Sequence, residues 1–128
     1  MSLIKNAAVC LCLALVLLCA GCSSITNLTA SRQYRNKNNL YVVEAAFSSN
    51  QQSLIEQSIR PKVIVGADEF PMEPVPVVTG RWQAYVPVPP DQKSVRYHFK
   101  FDYDYNSFPI HRSDSRLSQE YKLTVTDR

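Results

Sequence analysis

The chain has no cysteine beyond position 22, because all four of its cysteines fall in the leading segment. A domain built from the remaining residues can contain no disulfide and no free thiol. That suits an oxidising compartment, where a stray thiol cross-links, and it leaves stability to packing alone. Glycine is scarce as well, with three in the whole chain. No Gly-rich phosphate loop and no Gly-x-Ser-x-Gly elbow can be drawn from it. The two histidines, His98 and His111, show no zinc-ligand spacing. Neither sign of charge dominates: the net charge is +3, or about +2 without Lys5 of the leading segment. That balance gives no electrostatic footprint for nucleic acid. No apolar run reaches the roughly 20 residues of a membrane span.

What is present begins with address. Lys5 precedes the apolar run Ala7–Leu18, which has the length of a signal-peptide core. The run ends in Leu18-Cys19-Ala20-Gly21-Cys22. This stretch resembles the lipobox of bacterial lipoproteins, with Cys19 where that pattern usually has Leu. The resemblance implies cleavage after Gly21, a diacylglyceryl thioether on Cys22 and acylation of the new amino terminus. Ser23 and Ser24 follow in place of Asp, which in that family implies sorting to the outer membrane. On this reading Cys10, Cys12 and Cys19 are apolar filler in a discarded leader, and Cys22 carries lipid. An ordinary secretory signal with a free Cys22 is the alternative. One acyl chain binds a bilayer only marginally, whereas two or more hold firmly at about 0.8 kcal/mol per buried methylene.

Residues 23–39 are polar, without Pro or Gly, and read as a tether, with room for one short strand near Ile25–Thr29. Arg32, Arg35 and Lys37 cluster there, either as a solvated linker or against anionic headgroups. From Leu40 the pattern is that of strands. Tyr41, Val43, Ala45 and Phe47 fall on one face, and Ile59–Gly66 makes a second apolar run. Between them Ser48–Ser58 is polar, with a short helical turn expected near Leu54 and Ile55. Pro71, Pro74 and Pro76 mark an edge strand or an extended loop. Trp82, Ala84 and Val86 share a face opposite Tyr85. The clearest strand is Ser94–Tyr105, where Val95, Tyr97, Phe99, Phe101 and Tyr103 alternate with polar residues. Asn106–Ser118 reads as a polar loop, and Tyr121, Leu123 and Val125 as a last strand. Gly66 and Gly80 sit at expected turns.

These elements define an all-β protein. We expect an immunoglobulin-like antiparallel β-sandwich of about six to seven strands, preceded by a lipoprotein signal peptide. The division is signal peptide 1–21, lipidated Cys22 and tether through residue 39, and sandwich 40–128. The aromatics, 5 Phe, 1 Trp and 7 Tyr, all lie beyond the leader and supply the core.

Gly80-Arg81-Trp82, Val86-Pro87-Val88-Pro89-Pro90 and Tyr97-His98-Phe99-Lys100-Phe101-Asp102 resemble the central stretch of glycogen-binding-type modules. Those are early-set immunoglobulin-like sandwiches. The resemblance implies the sandwich, and glucan binding on paired aromatic platforms with Trp82 as the first. Where the family tends to show Gly and a second Trp, this chain has Tyr103, Asp104 and Tyr105.

Chemistry-bearing motifs are few. Asp102-Tyr103-Asp104-Tyr105-Asn106 has a calcium-loop-like spacing, but Ser107 and Ser113 stand where such a loop needs Gly and Glu. On a strand both carboxylates face solvent, with Lys100 and Arg96 able to balance them. The candidate ligand-binding residues are Trp82, either a core plug or a ligand platform, Tyr85 on the opposite face, and His98. No catalytic or metal-ligating set and no cofactor is expected. The functional expectation is a lipid-anchored, non-catalytic outer-membrane module with an envelope protein partner. A carbohydrate module for peptidoglycan or glucan is the alternative, and a small envelope hydrolase or hydrolase inhibitor a more distant one.

Overall fold

A computed structural model describes residues 23–128, so the lipobox and Cys22 lie outside the described residues. Ten strands follow in order: β1 Ser23–Asn27, β2 Arg32–Tyr34, β3 Leu40–Ser49, β4 Leu54–Val65 and β5 Asp68–Pro71. The second half contains β6 Glu73–Pro74, β7 Arg81–Pro87, β8 Ser94–Ser107, β9 Ile110–Leu117 and β10 Tyr121–Thr126. One sheet has the order β1-β3-β7-β6, and the other β2-β10-β8-β4-β5, with β9 also on β8. All pairings are antiparallel except β2 with β10. The chain thus begins in one sheet and crosses to pair in parallel with its own last strand in the other. The strand order follows the immunoglobulin arrangement, with a four-stranded ABED-type sheet facing one built on C, F and G.

The core is made by the two alternating faces foreseen in the sequence. Tyr41, Val43, Ala45 and Phe47 of β3 meet Tyr97, Phe99, Phe101 and Tyr103 of β8, all buried. Across the sheets Phe47 stacks on Phe101, with ring centroids 4.8 Å apart and planes within 8°, and it tilts against Tyr103 at 5.5 Å. Ala84, Val86, Leu123 and Val125 fill the rest, and Asn27 Nδ2 donates to the Tyr97 hydroxyl at 3.0 Å.

Three segments differ from the sequence reading. Residues 23–39 are not a tether. Ser23 is buried and pairs with Ser49, and β1 continues in register to Asn27 opposite Ala45. Arg35 is a clamp at the far end of the sandwich. Its guanidinium donates to the Val88 carbonyl at 3.1 Å, to the Pro89 carbonyl at 3.2 Å and to the Gln92 carbonyl, and it lies 5.9 Å from the Tyr41 ring centre. Leu54 and Ile55 are strand residues rather than a helical turn. A bulge between Ile55 and Arg60 is closed by Ser58, whose hydroxyl accepts from the Asp104 amide at 2.8 Å. Lastly, most of 106–118 is strand. β9 pairs with β8 from Lys100–Leu117 to Ser107–Ile110, so β8 and β9 form a long hairpin. Its two-residue turn is Phe108-Pro109, joined by a cis peptide bond. With β1, β2, β5, β6 and β9 counted, the sandwich has more strands than expected, and the additions are short or wholly exposed.

Gly66 and Gly80 both have positive φ, at 60° and 80°, as their turn positions require. Val77 also lies in the left-handed region, at φ 69°, which is uncommon for a β-branched residue. Pro76 and Val77 are the two central residues of a turn in which the Val78 amide donates to the Val75 carbonyl at 3.4 Å. Proline first and positive φ second is a type II pattern, in which the second place favours Gly.

Two stability predictions follow from this packing. Phe99→Ala should lower unfolding free energy by about 3–5 kcal/mol in urea titration, because the ring is fully buried; a neutral result would mean the ring does not face the core. Val77→Gly should raise stability by roughly 1 kcal/mol, since relief of left-handed strain exceeds the added freedom of the unfolded chain. A lower midpoint for that variant would contradict the turn assignment.

Candidate functional site

The three residues singled out for ligand binding do not converge. Tyr85 alternates with buried Ala84 and Val86 on β7, so its exposed ring points out from the four-stranded sheet. His98 alternates with buried Tyr97 and Phe99 on β8, so it points out from the other sheet. The two occupy opposite outer faces of the sandwich. Trp82 shares the inward face with Ala84 and Val86 and packs on the edge of the core. A ligand surface shared by Tyr85 and His98 is therefore not formed. Alternation within each strand was readable from the sequence, but the sheet each strand joins depends on distant pairings.

Trp82 nonetheless lies at the centre of a concavity. Short β6 leaves the margin of its sheet open opposite the bulge of β4, and Trp82 stands in that opening between two cavities. The first, about 440 Å³, has apolar walls of Ile59, Pro61, Pro71, Met72 and Trp82 and a polar end of Arg60, Lys62, Glu69 and Asp102. The second, about 320 Å³, runs past Phe47, Leu54, Ile59, Pro74 and Val78 toward Ser49 and Gly80. Trp82 Nε1 is shielded from solvent and has no hydrogen-bond partner. An indole N–H buried without an acceptor carries a desolvation penalty. An apolar wall with a polar end suits a neutral polyhydroxylated ligand or an extended peptide.

The polar end belongs to a charged ladder on the outer face of β4, β8 and β9. Lys62 Nζ lies 3.3 Å from Glu69 and 3.8 Å from Asp102, and Lys100 Nζ lies 3.7 Å from Asp102. Arg60 is 3.3 Å from Asp104, which also accepts from the Ser113 hydroxyl at 2.8 Å. The Ser113 hydrogen bond first, and the Arg60 guanidinium second, hold the Asp104 carboxyl below its ordinary range. Lys100 thus balances Asp102 as expected, whereas Arg96 pairs with Glu120 at 3.3 Å instead. Each carboxylate of the Asp-x-Asp stretch is satisfied by cations and hydroxyls. No group of three His, Cys, Asp or Glu side chains with metal-binding geometry occurs among the described residues.

A second feature had no sequence signal. The β8–β9 hairpin carries Phe108 at its turn, 99 % exposed, followed by exposed Ile110, and every residue of β9 is exposed. A strand with neither face buried shows no alternation, so nothing in its composition separates it from a loop.

Comparison with known protein families, with curated proteins and with solved structures finds no match to this chain.

Proposed function

We propose that the chain is a lipid-anchored, non-catalytic module of the cell envelope, held in the outer membrane through Cys22 and presenting its sandwich to an envelope partner. The observation that carries this reading is a junction. The cysteine that ends the lipobox-like stretch stands immediately before Ser23, the first residue of β1. Lipid chemistry and fold therefore meet without a gap. The all-β sandwich with paired surface charges supports a binding role, and neither histidine lines the Trp82 cavities.

Cys22→Ala in the full chain should leave the leader uncut and abolish the acyl mass. Intact-mass measurement of the unsubstituted protein should show loss of residues 1–21 and a gain equal to the acyl groups. An unmodified Cys22 in the unsubstituted protein would overturn the anchor.

A second reading is favoured by one observation, the Trp82 side chain that lines two adjoining cavities. It makes the groove a carbohydrate site, in peptidoglycan or an insoluble glucan, and uses Trp82 as the glycogen-binding resemblance implies. Co-sedimentation of the detergent-solubilised protein with each polysaccharide tests it. Trp82→Ala removes the aromatic wall shared by the two cavities, so it should weaken saturable binding. Tyr85→Ala, on the outer face, should leave binding unchanged. No sedimentation with either polymer would return the groove to a protein partner.

A further inference from the structure

The absence of a tether has a geometric consequence for the lipid anchor. β1 begins at Ser23 beside Ser49, the last residue of β3. Ser49 is two residues beyond Phe47, whose ring contacts both Phe101 and Tyr103 across the core. β3 and β8 run toward the same end of the sandwich, so Ser23 sits at about the level of Asp104. Phe108 is about four residues further along β8, roughly 13 Å at ~3.3 Å per residue. A lipid attached one residue before Ser23 therefore leaves the domain at this end, and the hairpin turn projects past its root.

The exposed apolar residues agree with that end. Phe108 is 99 % exposed and Ile110 59 %. Val77, fully exposed and strained in its turn, belongs to the β6–β7 connection. That connection returns to the same end, where the Gly80 carbonyl accepts from the Phe47 amide at 3.0 Å. From Asn106 to Arg112 the hairpin carries no acidic residue, and His111 and Arg112 are its only titratable side chains. An aromatic and an aliphatic side chain at a projecting turn, followed by the Arg112 guanidinium and free of carboxylates from Asn106 to Arg112, match the chemistry of the headgroup boundary of an anionic bilayer.

We propose that this end of the sandwich rests on the bilayer, with Phe108 and Ile110 of the β8–β9 turn inserted into the headgroup–acyl boundary and Val77 beside them. The proposal rests on the lipid-anchor reading, since Cys22 lipidation places the bilayer at this end. It adds a second, protein-borne contact that fixes the orientation of the domain. The hairpin turn then acts as a foot rather than as a partner-binding loop.

The test uses the full chain, purified with its lipid and reconstituted in vesicles of phosphatidylethanolamine and phosphatidylglycerol. Once the leader is cut and Cys22 is a thioether, an introduced cysteine is the only thiol. A polarity-sensitive fluorophore on Phe108→Cys or Ile110→Cys should shift to the blue and lose most of its emission when the vesicles carry acyl-chain bromines. The same fluorophore on Asp91→Cys, in the turn at the opposite end, should do neither. Vesicle-bound, lipidated protein whose label at 108 behaves like that at 91 would overturn the insertion while leaving the anchor intact, and would reassign the turn to a protein partner. A mass showing Cys22 free, with two labels incorporated, would remove the anchor and this proposal with it.

Discussion

Everything in this sandwich depends on the stack of Phe47 on Phe101. The two rings join β3 and β8, the counterparts of the strands that antibody domains tie together with a disulfide between sheets. A chain whose cysteines all precede its first strand has no covalent means to hold those sheets. The stack, extended by Tyr103 on one side and by the edge contact of Tyr97 with Phe99 on the other, supplies the link by packing. Aromatic pairs of this kind contribute about 0.5–1.5 kcal/mol beyond the area they bury. The concentration of aromatics on the inward face of β8 follows from that need. The ends are then closed by polar devices, with Arg35 over the turn at 88–92 and Ser58 in the bulge of β4.

How much of this was legible depends on whether a strand has one buried face. β3, β7 and β8 alternate because each puts one side into the core, and their inward residues were readable one by one, Trp82 included. β9 has no buried face, so Ile110–Leu117 looks like a polar loop; its partner is the β8 backbone, which composition does not reveal. β1 and β2 are short and polar, and they are strands because β3 and β10 offer them free edges. The bulge at Ser58 shifts the register of β4 and conceals its continuity. For the site, orientation within a strand could be read, but convergence could not. Tyr85 is exposed and His98 half-buried, each on an outer face, and the sandwich lies between them.

The groove at Trp82 shows the same division between local and non-local information. That Trp82 turns inward is local. That it stands at an open margin is set by the brevity of β6, only Glu73 and Pro74, opposite a bulge some distance along the chain. Proline at that edge removes a ladder donor and keeps the margin from extending into a longer strand. A groove is therefore left where a complete sandwich would have closed, with Trp82 in its wall.

A lipid anchor joined directly to a paired strand also constrains how any partner is met. A flexible tether of some seventeen residues would let the domain roam tens of ångströms from the bilayer, at about 5–6 Å times the square root of its length. On the proposed lipidation of Cys22, with β1 paired from its first residue, that reach is lost, and the end that carries Ser23, Phe108 and Val77 stands nearest the lipid. The surfaces left to a partner are the two outer faces, the far end clamped by Arg35, and the flank that opens at Trp82. The second cavity on that flank begins among Ser49, Leu54 and Gly80, close to the anchored end, and the first continues away from it past Met72 to Lys62. On that proposal an extended ligand in the groove would run from near the membrane surface outward along the domain. A domain held in this way gains effective concentration only for a partner held beside it, so the proposed anchor favours a polymer or a protein segment rising from the same membrane over a diffusing small molecule.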